Sequence, residues 1–311
     1  MPRPMGTMRD SPGRTCPVSY RHPAEAFAAP AALAADTLWI AGGLYGNRYA
    51  LAALLEAFGA EPGDKALIFN GDFHWFDAEP EEFELIDEAV SGFHALRGNV
   101  ETEIAQPMEG AGCGCAYPDW VGDATVAYSN GIMERLRAAA QASGRDLARL
   151  AALPMTLLAQ VGGERIGIVH GDAESLAGWS FSQEVLSTPS GIAHAERQFA
   201  RTGLRVFASS HTCLPVLQRF PGDRVLVNNG AAGMPNFRGE RYGIATRISV
   251  RPRAGALYGT RCEGLHVDAM ALRYDAAAWE RRFLELWPAG SAAHRSYFKR
   301  IRQGPEFERA A

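Results

Sequence analysis

No stretch of this chain reaches the roughly 18 consecutive apolar residues that a bilayer-spanning helix needs, so no membrane span is expected. Positive charge is not in excess: 31 Lys and Arg stand against 35 Asp and Glu, a formal net charge of −4. That balance excludes a broad nucleic-acid footprint, which needs a basic face. The basic "HRSYFKRIRQ" near the C-terminus reads as a solvated helix face. Cysteine is sparse and odd in number, five in 311 residues, which does not suit a secreted disulfide framework. Reduced thiols and a cytoplasmic location are the expectation. The Ala-rich "AEAFAAPAALAA" contains Pro and Glu and feeds into the first strand, unlike a signal-peptide core. No internal repeat stands out.

What is present is a globular mix, 47% hydrophobic and 21% charged, with material for a substantial core. Residues 1–35, rich in Pro, Arg and Ala without periodicity, read as an extended arm. "TLWIA" is a strand, after which Leu51, Leu54, Leu55 and Phe58 recur at helical spacing. "KALIFNGD" is a second strand, Phe83, Ile86 and Val90 mark a second helix, and "FHALRGN" is a third strand. Such a βαβαβ run requires right-handed crossovers and a parallel sheet. Ligands in parallel sheets gather at the carboxyl ends of the strands. Between 102 and 153 the strand signal vanishes, and a Gly-rich loop followed by helical patterns reads as an inserted cap. Hairpins are predicted around Gly162–Gly163 and Pro221–Gly222–Asp223. "LRVFASSHTC", "YGIATRISV" and "VDAMALRYD" supply further strands. The main domain is expected over 36–275. A helical tail over 276–311 places Trp279, Phe283, Leu286 and Trp287 on one face, packed back on that domain.

The strand ends hold the chemistry: Asp72 in "NGD", Asn99 in "RGNVE", His170 in "VHGD", His211 and Cys213 in "SSHTC", and Asn228–Asn229 in "VNNGAAG". A carboxylate, an amide oxygen and two imidazoles suit a divalent metal of mixed N/O preference, such as Mn, Fe or Zn. Singly, each residue has a bland explanation: Asp72 and Asn99 as turn or cap residues, each histidine as a hydrogen-bonded structural group. His74 points either into the crevice or into the aromatic cluster of "FHWFD". Cys113 and Cys115 in "GCGC" form a C-x-C pair that, with Cys213 and His211, would make a soft-ligand Zn site. Redox chemistry and simple burial are the other readings of that pair. Cys16 and Cys262 carry no motif.

The order Gly-Asp, Gly-Asn, strand-end His, "SSHTC" and an Asn-Gly loop resembles the calcineurin-like metallophosphoesterase superfamily over residues 36–250. That family's motifs run Asp-x-His, Gly-Asp, Gly-Asn-His/Cys-Asp/Glu, His and Gly-His-x-His. The resemblance implies an α/β fold, a four-layer αββα sandwich of two mixed β-sheets flanked by helices. It also implies two metals bridged by the Gly-Asp aspartate. "GGLYGN" occupies the place of the first motif: Gly46, Asn47 and the following helix match, but Gly43 stands where Asp is usual and Tyr45 where His is usual. One metal would use Asp72, Asn99, His170 and His211, all present. The other would use the positions of Gly43, Tyr45, Asp72 and Cys213, of which only Asp72 matches. Tyr45 and Cys213 are competent ligands when deprotonated. Val100 replaces the catalytic His or Cys of the Gly-Asn motif, and the acidic residue after it is kept as Glu101.

By this resemblance the chain is a metal-dependent phosphoesterase acting on a phosphorylated small molecule, a phosphomonoester or phosphodiester. Asn99, His211 and Glu101 are its candidate catalytic residues, and the "NNGAAGMPN" loop offers backbone N–H donors to phosphate. With Val100 in place of an acid, activated leaving groups such as a phenolate or pyrophosphate suit the site best. The alternative is a non-catalytic module of the same fold, holding a phosphorylated ligand or a protein through one structural metal. A third reading is a redox or thiol-metal sensor built on Cys113, Cys115 and Cys213.

Overall fold

A computed structural model describes residues 11–308; the first ten residues of the expected arm lie outside them. The described part of that arm is less extended than expected. It forms short 3-10 turns at Val18–Tyr20 and Ala24–Phe27 and a strand, β1, at Leu33–Ala34. Tyr20 is the reason the arm is pinned: it is buried, and its hydroxyl donates to Glu103 Oε1 at 2.8 Å.

The next strands are β2 (Thr37–Ala41), β3 (Lys65–Asn70) and β4 (His94–Leu96), separated by helices α1 (Arg48–Gly59) and α2 (Pro80–Ser91). They pair in parallel, β2 with β3 and β3 with β4. Alternation along β2 decides what each face meets. Leu38 and Ile40 face one apolar cluster, Trp39 and Ala41 another, as the two-residue period of a strand requires. Asn47 caps α1, its Oδ1 accepting from the N–H of Tyr49 and Ala50, and so satisfies two orphan donors of the first turn. Leu51 and Leu54 of α1 and Phe83, Ile86 and Val90 of α2 then bury against Trp39, Leu67 and Phe69.

The segment 99–152 contributes α3 (Asn99–Ala105), α4 (Asp123–Ala142) and α5 (Ala148–Ala152) and no strand. The predicted hairpins follow: β5 (Thr156–Val161) with β6 (Glu164–Val169), and β8 (Val216–Phe220) with β9 (Arg224–Asn228). Between them lie α6 (Gln183–Leu186), α7 (Pro189–Thr202) and β7 (Val206–Ser209). The chain continues as β10 (Gly243–Ser249), β11 (Ala256–Cys262), β12 (Leu265–Leu272), α8 (Ala276–Leu286) and α9 (Ala292–Gln303). The sequence pattern gives no expectation of α7 or β11. In α7 the buried face includes Gly191 and Gln198, so its apolar stripe is sparse. Strand β11 is an edge strand, half-exposed over most of its length.

Two six-stranded sheets result, in the orders β1-β5-β6-β7-β9-β8 and β11-β12-β10-β2-β3-β4. Each holds both parallel and antiparallel pairs. Leu38, Ile40 and Ile68 of one sheet and Ile166, Ile168, Val206, Val225 and Val227 of the other form the layer between them. Phe207 and Leu226, the out-of-phase neighbours, pack outward on Phe199 of α7. The layers are therefore helix, sheet, sheet, helix. Trp279, Phe283, Leu286 and Trp287 join the outer cluster on the β2–β3 side, and Trp287 Nε1 donates to the Phe76 carbonyl at 3.0 Å. No helix among the described residues is long and apolar enough to cross a membrane.

One buried ion pair ties the β10 strand to the end of α1. Both oxygens of Glu61 accept from Arg247, each at 2.9 Å, and Trp39 Nε1 and Arg253 add further donors. Burial opposes ionisation of Glu61, but the hydrogen bonds from Arg247, Arg253 and Trp39 outweigh it and hold its pKa down to about 2. Because the folded value lies below the unfolded one, the stabilisation is present above about pH 4.5 and is lost as pH falls through about 2. Glu61→Gln is expected to cost about 3 kcal/mol at pH 7 in denaturant unfolding, and the gap from the native chain to narrow below about pH 4.5 and close as pH falls through about 2. A gap independent of pH would remove the ionised carboxylate as its cause.

Candidate metal centre

Five strand ends converge on one crevice. Tyr45 follows β2, Asp72 follows β3, Asn99 opens α3 beyond β4, His170 follows β6 and His211 follows β7. Nδ1 of His170 lies 2.8 Å from the Asn70 carbonyl oxygen. A carbonyl only accepts, so that nitrogen carries the proton and Nε2 is the end turned to the crevice. From Nε2, Asp72 Oδ1, Asn99 Oδ1 and His211 Nδ1 each lie 3.3 Å away. His211 is fixed in the same manner, its Nε2 donating to the Cys115 carbonyl at 3.0 Å. Asn99 Nδ2 donates to the Cys113 carbonyl at 2.9 Å, which turns its oxygen inward. Four lone-pair atoms are thus aimed at one another, an arrangement that repels unless a proton or cation lies among them. The donor chemistry fits a divalent metal, with both imidazole tautomers pinned by backbone carbonyls.

Burial works against a charged His170, but Asp72 outweighs it and raises the His170 pKa, so a proton competes with a metal for Nε2. Burial first, then the neighbouring His170, pushes His211 down to about 4, so its imidazole is neutral, as a ligand must be. Asp72 stays ionised: burial opposes this, but His170 and His211 outweigh it and hold its pKa below the ordinary value. Asp72, His170 and His211 are all buried, and their ligand atoms lie within 4.8 Å of one another.

The glycines of the motifs are required by this crowding. A Cβ at Gly98 would strike Asp72 Oδ1, and one at Gly71 would come within 2.6 Å of the Gly98 nitrogen. Tyr45, Asp72 and Cys213 all hold positive φ, at 55°, 55° and 62°. Non-glycine residues avoid that region, at a cost on the order of 1–3 kcal/mol each, and such strain gathers at functional sites.

At "GGLYGN" the loop is rebuilt. A Cβ on Gly42 would collide with the Gly230 carbonyl, where the two sheets are stitched by a parallel bridge between Gly43 and Ala231. A Cβ on Gly43 would run into the Tyr45 ring. Glycine at 43 and tyrosine at 45 are therefore a coupled pair, the aromatic ring lying over the place from which a side chain at 43 would project. The Tyr45 hydroxyl meets Cys213 Sγ at 2.7 Å. Burial raises both pKa values, so phenol and thiol keep their protons.

Comparison with known proteins bears on the family. Residues 30–214, more than half of the chain, match the model of the calcineurin-like phosphoesterases. The chain belongs to that family. Its fold is similar to that of a metallophosphoesterase from Sphaerobacter thermophilus, at 18% identity and a TM-score of 0.56, covering 86% of this chain and 100% of that one. A hypothetical protein from Pyrococcus horikoshii OT3 aligns at 17% identity and a TM-score of 0.60, covering 88% and 99%. No curated protein matches in sequence.

Other sequence expectations meet different outcomes. Glu101, expected as a catalytic residue, is engaged by backbone donors. Its carboxylate accepts from the backbone N–H of Asp72, Phe73 and Gly98, which fixes the Gly-Asp and Gly-Asn turns against each other. Tyr45 and Cys213, expected as metal ligands, are hydrogen-bonded to each other, and Cys213 is not part of the Asp72, His170 and His211 group. His74 turns away from the crevice. It is fully buried, stacked on Phe83, with Nδ1 2.7 Å from Asp77 Oδ2 and Nε2 3.8 Å from Asp87 Oδ1. Cys113 and Cys115 are joined as a disulfide rather than held as reduced thiols, because the turn at Gly114 brings their Cα atoms to 5.4 Å. No cysteine joins the metal-type cluster among the described residues. The "NNGAAG" loop has no free amides to offer. The N–H groups of Asn229, Gly230, Ala231, Ala232 and Gly233 already donate to Ser209, Asn228, Asn236 and Gly43.

The crevice is a cavity of about 180 Å³. Its outer wall is made by Trp75, Tyr117, Trp179, Tyr297 and Arg300, none of which sequence reading selected. Tyr297 and Arg300 sit three residues apart in "HRSYFKRIRQ", on one helix face. Periodicity alone does not say which face meets a site made by other elements.

Proposed function

We propose that this protein is a phosphoesterase working from one metal site held by Asp72, Asn99, His170 and His211. The observation that carries the reading is the pair of imidazoles whose backbone-fixed tautomers turn the His170 Nε2 onto the Asp72 and Asn99 oxygens and the His211 Nδ1 onto His170 Nε2. Mn, Fe or Zn suits the donor set. Bound there, such a metal supplies positive charge for a phosphoryl oxygen and lowers the pKa of a coordinated water.

The chain's own residues set the limits of the chemistry. Asp72 and His170 are held from behind by Glu101, the Val100 N–H and the Asn70 carbonyl, so they form a rigid floor. Asn99 and His211 line the cavity directly above it. Val100 lines the same wall, buried and apolar, and has no proton to give a departing oxygen. Leaving groups that depart without a proton, phenolates above alkoxides, are therefore the favoured substrates. A small phosphorylated molecule fits the cavity.

Metal content per chain, measured by elemental mass spectrometry after purification without chelator or affinity metal, tests the reading. About one equivalent is expected in the native chain and near zero in His211→Ala, with aryl phosphate hydrolysis lost in parallel. Metal near zero in the native chain, even after supplying Mn and Zn, would overturn it. Metal retained without turnover would favour the second reading, a binding module of the same fold. The replacement of side-chain donors at 43 and 100 by Gly and Val supports that alternative.

A further inference from the structure

Among the described residues, Arg300 is the one Lys or Arg that lines the cavity. It comes from α9, far in sequence from every strand-end loop. Its Nε donates to the Pro235 carbonyl at 3.0 Å and one terminal nitrogen, Nη2, to the Cys213 carbonyl at 2.8 Å. Those two carbonyls fix the plane of the guanidinium beside the Tyr45–Cys213 pair. No carboxylate forms an ion pair with it among the described residues, in contrast to Arg282 of the neighbouring helix, which pairs with Glu79 and Glu82. A guanidinium held rigidly at a cavity wall, with a donor edge left over and no acidic partner, is built for an anion.

The rest of the outer wall is aromatic. Trp179 packs edge-on to His211 at 5.4 Å between ring centroids, and Tyr117 and Trp120 lie 5.8 and 6.4 Å from Trp179. Trp179 Nε1 donates to the Cys115 carbonyl, the same oxygen that fixes His211. Trp120 is 57% exposed, one of two large apolar side chains left open among the described residues. The aromatic surface therefore runs from the four-donor cluster out to solvent, and offers faces to a flat group.

We infer that Arg300 anchors a phosphomonoester dianion against the four-donor cluster, and that the Trp179 wall selects esters whose remaining part is a flat ring. The inference rests on the phosphoesterase reading and adds its substrate class. The phosphate bridges the inner floor and the guanidinium, and the ring leaves along the aromatic wall.

Calorimetric titration of the metal-loaded full chain tests this without turnover, using inorganic phosphate, methylphosphonate and phenylphosphonate as non-hydrolysable probes. Arg300→Met is expected to weaken all three by roughly 10- to 100-fold, the loss of charge-assisted hydrogen bonds, with metal content unchanged. Arg300→Lys, keeping the charge and losing the fork, recovers part of that loss. Trp179→Leu is expected to abolish the preference for phenylphosphonate over methylphosphonate and leave phosphate affinity within about threefold, well short of the tenfold step set by 1.4 kcal/mol. Phosphate affinity equal in Arg300→Met and the native chain overturns the anchor. Phenyl and methyl probes binding equally to the native chain overturns the ring selection. No probe binding at all overturns both, while metal content and aryl phosphate hydrolysis report separately on the phosphoesterase reading.

Discussion

Gly43→Asp alone is expected to destabilise the protein, and Gly43→Asp with Tyr45→His to recover stability and raise metal content from about one equivalent to about two. The single change drives a new Cβ into the Tyr45 ring. Overpacking of that kind costs about 1–3 kcal/mol. It also pushes the Tyr45 hydroxyl off Cys213 Sγ and leaves a second carboxylate near Asp72 without a partner. Removing the ring by Tyr45→His clears the space and restores the two side chains that the resembled family carries at these positions. Chemical denaturation and elemental analysis of both variants read the two effects separately. Metal fixed at one equivalent in the double variant would show that the crevice has closed around the tyrosine in more places than this. A single variant as stable as the native chain would show that the ring swings aside at no cost.

His74→Ala is expected to cost about 3–5 kcal/mol in global stability, the penalty for stranding a buried charge. The imidazole has no exposed surface and bridges Asp77 and Asp87. Arg145 and Arg149 also reach Asp87, so Asp77 is the group left alone. Burial works against the imidazolium, but Asp77 and Asp87 outweigh it and raise His74 to about 9. Its folded value lies above the unfolded one near 6.5, so its contribution is complete below about pH 6.5 and is lost as pH rises through about 9. Asp77 is raised to about 7, chiefly by burial, so it too favours the fold at lower pH and loses its contribution as pH rises through about 7. Both slopes have the same sign: stability is expected to fall from about pH 4 to 7 through Asp77 and from about pH 6.5 to 9 through His74. The pair His74→Phe and Asp77→Leu, made together, is expected to restore most of the loss and flatten that slope, since an apolar replacement of a buried pair is often neutral or better. A loss under about 1 kcal/mol in His74→Ala, or an unchanged slope in the double variant, would remove the ion pair from the account.

The same residue shows where sequence reading stops. "FHWFD" is consistent with a ligand histidine two positions past Asp72 and with an aromatic cluster. Orientation beyond a strand end depends on the next helix, and here Phe83 of α2 supplies the stacking face. Glu101 is a similar case. A carboxylate after Gly-Asn looks catalytic in sequence, but three backbone N–H groups arriving from two separate turns claim it. Such donors belong to neighbours in space, and no spacing rule reports them.

The sequence by itself determined the layers. Leu38 and Ile40 against Trp39 and Ala41 sort the faces of β2, and turns at Gly162–Gly163 and Pro221–Gly222–Asp223 fix the hairpins, because a strand's two-residue period and a turn's backbone demands are local. It also determined which strand ends carry polar side chains, and so that Asp72, Asn99, His170 and His211 were worth placing together. Only the tertiary structure decided that Tyr45 fills the space over Gly43, that two cysteine carbonyls orient Asn99 and His211, and that Arg300 arrives from the last helix. Apart from the Tyr45–Gly43 pair, those contacts join residues 14 to 96 positions apart. They arise from how helices and loops close over the sheet ends, and the periodicity of any one segment carries no trace of that closure.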